Sequence, residues 1–191
     1  MARMQMVACC TFLAAAGCAF VDQKARFDPA VHVTGSTLGA GHRVVIAVAD
    51  ERPRSLIGRR GAGGSVGGAI TTDQDLAELV RGKLAEGLQQ YGFAPISADG
   101  TAAPRMNVEV RYLEYELAQG FWTGSVNTRA ALKGICRNGA ESYEHLYRAE
   151  GKRGAFVIPS ADKNEMLLNE TLSEALNGML ADQQLVGCLA R

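Results

Sequence analysis

Five cysteines and three histidines are the side chains of this 191-residue chain best suited to chemistry. Cys18 closes the run Leu13-Ala14-Ala15-Ala16-Gly17-Cys18. Small residues ahead of a cysteine let the chain enter a processing peptidase, and the thiol can then carry a diacylglycerol as a thioether. Cys9 and Cys10 are weaker acceptors, because cutting before either leaves too short an apolar stretch. Cys136 and Cys188 would survive processing along with Cys18. They can pair in an oxidising compartment, closing a loop of about fifty residues for roughly 4 kcal/mol of chain entropy. They can equally remain two buried thiols that never meet.

Other constellations fall short of a reaction. His32, His42 and His145 stand at no zinc-ligand spacing with each other or with cysteine. Arg137 would lower the pKa of Cys136, but the sequence places no base beside it. Ser142 and His145 point to opposite faces of a strand, and no G-x-S-x-G elbow occurs. Gly61-Ala62-Gly63-Gly64-Ser65-Val66-Gly67-Gly68 invites a phosphate-loop reading, yet it lies eleven residues past the first long strand and carries no G-K-[ST]. Glu109, Glu114 and Glu116 read as the wet side of a strand. The expectation is no catalytic residue, no metal and no cofactor. Four arginines (Arg52, Arg54, Arg59, Arg60) and Trp122 are the candidate contacts for a partner or for anionic groups. The bland alternatives are a solvated loop for the arginines, with Asp50 and Arg52 pairing to fix its exit, and packing over the sheet end for Trp122.

The N-terminus has the layout of a secretory signal: Met1-Ala2-Arg3, an apolar stretch from Met4 to Ala16, and small residues before the cut. The stretch is too short for a bilayer core of ~30 Å. Ala15-Ala16-Gly17-Cys18 resembles the lipobox, although Ala15 stands where a larger aliphatic residue is preferred. Ala19, rather than aspartate, follows Cys18, which resembles the outer-membrane-sorted class. Multiple acyl chains at Cys18 would give stable anchoring. The 20 basic and 20 acidic residues balance, which gives no case for nucleic acid.

The elements that position these residues follow from periodicity. Residues 18–41 lack a clear period and read as a lipidated tether with a reach of roughly 25 Å. A single domain is expected over 42–191. Arg43 to Ala49 is rich in β-branched residues, as in a strand buried on both faces. The Gly/Arg-rich stretch 51–70 reads as a loop. Leu76, Leu79, Val80, Leu84, Leu88 and Tyr91 recur at helical spacing from about Asp73 to Tyr91, with Thr72 as the expected cap and Gly92 as the stop. Phe93–Ile96 reads as a short strand. Met106, Val108, Val110 and Tyr112 alternate, then the parity slips, which predicts a bulge. Val126 to Cys136 forms the next strand, Arg137-Asn138-Gly139 turns it, and Tyr143, His145, Tyr147 and Ala149 lie on the return. Leu168, Leu172, Ala175, Leu176, Met179 and Leu180 form the apolar stripe of a last helix over about 163–181. The expected fold is α+β: a mainly antiparallel sheet of about four to five strands with two helices packed on one face.

With these elements placed, the chain resembles the YajG-type family of bacterial lipoproteins. The likeness lies in the lipobox ending at Cys18, Asp50-Glu51-Arg52, Leu88 through Phe93, Met106-Asn107-Val108-Glu109-Val110, Gln119-Gly120, Tyr147-Arg148-Ala149, Gly154-Ala155-Phe156 and the Leu168–Leu180 helix. It covers most of the chain from about residue 43 onward. The resemblance implies an outer-membrane lipoprotein facing the periplasm, and it supplies no activity, ligand or catalytic residue. The resulting expectation is a lipid-anchored accessory or adaptor domain with no catalysis of its own. Its partners would be the membrane, through the N-terminal lipid, and an envelope protein. The alternative is a periplasmic carrier of lipid or a small molecule, with the ligand between sheet and helices.

Overall fold

The computed structural model describes residues 21–61, 67–97, 102–119, 124–155 and 157–191. Its elements in chain order are β1 (Gln23–Lys24), β2 (Arg43–Asp50), β3 (Gly58–Arg59), β4 (Ala69–Thr71), α1 (Leu76–Gln90), β5 (Ala94–Ile96), β6 (Arg105–Gln119), β7 (Gly124–Asn138), β8 (Glu141–Ala155), α2 (Ala161–Ala181) and α3 (Gln183–Leu189).

The sheet corrects the expected fold. It is not a mainly antiparallel sheet of four to five strands with two helices. It is a curled, mixed sheet with eight strands among the described residues, and three helices accompany it. Four of the seven strand pairings are parallel: β1 with β4, β2 with β5, β2 with β6, and β3 with β6. The antiparallel pairings are β3 with β4, β6 with β7, and β7 with β8. The reason for the error is physical. β1, β3 and β4 span two or three residues each, too short for any alternation to appear in sequence. Parallel pairing also joins segments far apart, such as Val45 with Arg105, and leaves no turn signal between them.

β6 organises the sheet. Its first half lies beside β2 as far as Val110, and its second half meets β3 at Tyr115. The register shifts between Val110 and Tyr112, where the alternation of apolar residues slips. An extra residue there bends the strand and lets one 15-residue segment serve two neighbours.

The helices start and stop where short polar side chains and glycine allow. Asp75, not Thr72, caps α1 and accepts from the Glu78 amide. Gly92 ends the turn at φ +86°, a conformation that costs a residue without a Cβ little. Ser160 caps α2 through the Lys163 amide. All three helices contribute to one hydrophobic core on one face of the sheet, with Leu84, Leu113, Leu132, Leu168 and Met179 fully buried. The opposite face carries ion pairs such as Glu114–Arg129 and Lys133–Glu144.

Two stretches read as loop or tether contribute to the core. Ile57 and Ile70, within 51–70, are 2% and 0% exposed. Ala25, Phe27 and Val31, within 18–41, are likewise buried. β1 enters the sheet only because Gly68 has no side chain: a Cβ there would lie 2.1 Å from the Val21 carbonyl oxygen.

Candidate functional site

Residues 26–32 lie extended along α2 and are fastened by side chains four residues apart on the helix. The Asn169 side chain accepts from the Asp28 amide at 2.7 Å and donates to the Arg26 carbonyl at 3.0 Å. Ser173 accepts from the Ala30 amide at 2.8 Å. Asn177 accepts from the His32 amide at 2.8 Å and donates to the Ala30 carbonyl at 3.2 Å. The repeat fits because four helical residues rise about 6 Å and two extended residues span about 6.6 Å. Gln74 of the loop before α1 grips Phe27 from the other side through both its backbone groups. Lys83 binds Asp28 at 2.7 Å, and this hydrogen bond holds the Asp28 carboxyl below its ordinary value. A shallow groove of about 480 Å³ runs beside the strap, bordered by Asp28, His32, Met166 and Glu170.

A row of polar side chains lies under the first half of α2. Successive pairings join Gln23 to Ile70, Gly58, Tyr115, Thr128 and Gly151, so their side chains share one face. Gln23 donates to the Ala161 carbonyl at 2.8 Å and accepts from Asn164 Nδ2 at 3.0 Å. Thr128 and Thr171 share a hydrogen bond of 2.6 Å. Tyr115 sits between these pairs with its hydroxyl unpartnered, as are Asn164 Oδ1 and Arg60 Nε. Burial pushes the Tyr115 phenol up to about 12, against a small opposing pull from the Arg60 guanidinium. It therefore remains a hydrogen-bond donor at neutral pH.

The four arginines do not form one patch. Arg52 closes on Asp50 through two hydrogen bonds of 2.8 Å, the pairing that fixes the exit from β2. The Arg52 hydrogen bond draws the Asp50 carboxyl below its usual range, although burial opposes it. Arg54 is exposed. Arg59 donates to the Gly67 carbonyl at 3.2 Å. Arg60 is 7% exposed and folds inward, reaching the Val21 carbonyl at 3.4 Å. Cys18, Trp122 and the glycines at 63 and 64 lie outside the described residues.

At the other end, Cys136 of β7 is disulfide-bonded to Cys188 of α3, with Cα atoms 6.4 Å apart. Asp182, at the α2–α3 junction, accepts from Tyr143 at 2.9 Å and Tyr147 at 2.6 Å. It also caps α3 through the Gln184 and Leu185 amides. Burial raises the Asp182 pKa, but the hydrogen bonds together outweigh it and the net shift is downward. His145 is exposed and stacks edge-on against Tyr147 at 4.9 Å. Among the described residues no group of His, Cys, Asp and Glu is arranged to hold a metal, and no helix is long and apolar enough to cross a membrane.

Sequence reasoning missed Gln23, Tyr115 and Asn164 as a cluster. A signal existed: Asn164 falls on the every-fourth-residue apolar line of Leu168, Leu172, Leu176 and Leu180. An amide there must be buried and needs a partner. The Asn169, Ser173, Asn177 spacing of four was equally readable.

A curled mixed sheet with helices on one face is a fold found in other proteins. A Xanthomonas campestris protein of family DUF330 superposes with a TM-score of 0.56 at 10% identity, covering 87% of this chain and 95% of that one. A second solved structure, of an uncharacterized protein, gives 0.51 at 13% identity, with 83% and 97% covered. A Neisseria meningitidis lipoprotein, GNA1162, gives only 0.33 at 8% identity, over 58% and 83%. A family model described as uncharacterized lipoprotein, Lipoprotein_16, matches residues 29–190, and the chain belongs to that family. No curated protein sequence gives a significant match.

Proposed function

We propose that this lipoprotein is of the YajG type and is anchored at the outer membrane through acyl chains on Cys18. Its domain faces the periplasm and acts as a non-catalytic accessory or adaptor module. The observation that supports the reading is how little chain separates the anchor from the fold. Only five peptide units lie between Cys18 and Gln23, which enters the sheet as β1. They span at most about 18 Å. An anchor that close presents the domain at the membrane surface rather than releasing it on a long leash, which suits a part that docks with other envelope components.

In-cell photocrosslinking tests this reading, with the probe at exposed Arg54 and at Trp122. A reproducible protein adduct at either site is the expected result. Turnover of a substrate by the purified protein, or an absence of protein adducts at both positions, counts against the adaptor. Loss of palmitate labelling in Cys18→Ser tests the anchor separately.

A further inference from the structure

Arg60 Nε, Tyr115 Oη and Asn164 Oδ1 are three buried polar atoms without a hydrogen-bond partner. Their residues are 7%, 4% and 0% exposed. All three belong to one corner of the fold. Gly58 pairs with Tyr115, and Arg60, two residues on, returns to the same face of the sheet. Arg60 reaches the Val21 carbonyl, two residues ahead of the Gln23 side chain that accepts from Asn164.

The charge needs more explanation than the hydrogen bonds. Among the described residues no carboxylate lies within 4 Å of the Arg60 guanidinium, whereas the equally inward Arg52 has Asp50. A buried charge without a counter-charge is strongly unfavourable. Ordered water can satisfy hydrogen bonds, but it cannot supply the missing negative charge.

We propose that this corner binds a small oxyanion, a phosphate or phosphate ester. Arg60 Nε–H and Tyr115 Oη–H donate to its oxygens, and a ligand hydroxyl donates to Asn164 Oδ1. Ile70, in register with Gln23 and Gly58, and Leu117, two residues beyond Tyr115 on the same face of β6, are both buried and give apolar surroundings that strengthen such charge-assisted bonds. Phosphate of this kind comes either free or on a lipid headgroup. This inference does not depend on the adaptor reading.

The test uses the processed chain with Cys18→Ser, in chloride buffer. Sodium phosphate and glycerol 3-phosphate are titrated by calorimetry, and phosphatidylglycerol vesicles are tested by co-sedimentation. Saturable binding is expected, weakened at least tenfold in Arg60→Gln, severalfold in Tyr115→Phe, and unchanged in the control Arg148→Gln, an exposed arginine of β8. Binding to the soluble probes supports a free phosphate ligand, and binding to vesicles alone supports a headgroup. No saturable binding by any probe, or equal binding in all variants, overturns the proposal. So does a rise in unfolding temperature in Tyr115→Phe with phosphate response intact, which would mark the hydroxyl as merely orphaned.

Discussion

Asp182 shows how much one side chain can hold together. One carboxylate oxygen accepts from two phenols of β8 and the other caps α3. Asp182→Ala removes an N-cap, worth ~1 kcal/mol, and two hydrogen bonds to a charged acceptor, each ~1.5 kcal/mol at the low end. The expected loss is about 4 kcal/mol, read as a lower denaturation midpoint at unchanged slope. The pH dependence has a definite sign. The folded pKa lies below the ordinary 3.8, so this contribution is complete above about pH 4 and disappears as pH falls through the folded value. The stability difference between the wild type and Asp182→Ala should therefore shrink as pH falls below about 4. Curves that stay parallel would mean the carboxylate charge plays no part.

At the scale of elements, the strap on α2 is the feature with most bearing on how the domain is held. Asn169, Ser173 and Asn177 bind backbone groups only, at about 1 kcal/mol each. The triple change to alanine is expected to raise hydrogen exchange at the Asp28, Ala30 and His32 amides on the order of a hundredfold. Core amides of α1 and α2 should stay protected, and trypsin should cut sooner after Arg26. General loosening of the domain, or no change, would contradict this.

Legibility in the sequence divides along the same line. α1, α2, the bulge in β6 and the Asn138-Gly139 turn depend on neighbours a few residues apart, so periodicity and turn chemistry show them. The parallel pairing of β2 with β6, the tiny strands β1, β3 and β4, and the docking of 26–32 depend on segments up to 147 residues away. Nothing local marks them. Phe27 stands in a stretch without a clear period, and only the clamp between Gln74 and α2 explains its burial. Asn164 and Tyr115 are the same case: each reads as an ordinary helix or strand residue until the row across the sheet brings them together.

At the scale of the whole molecule, both ends of the described chain are fastened to the body that α2 dominates. The strap ties the N-terminal side to the middle of that helix, and the disulfide ties α3, directly after it, to β7. Asn138 adds a bond to the Cys188 carbonyl at 3.0 Å, and Arg191 reaches Glu141 at 3.0 Å. The cross-link spans 52 residues, for which chain entropy predicts about 4 kcal/mol. In a domain of this size each kcal/mol moves the unfolding temperature by roughly 2–4 °C. The double variant Cys136→Ala/Cys188→Ala is therefore expected to melt roughly 10 °C below the oxidised wild type. Both cysteines are at most 4% exposed, so a mild reductant should leave the folded wild type unchanged and act only once the domain unfolds. Calorimetry of the Cys18→Ser form, oxidised and reduced after unfolding, separates the cases. Equal melting temperatures for oxidised wild type and double variant would mean that the Tyr143–Tyr147–Asp182 bonds and buried Leu185 and Leu189 hold α3 unaided.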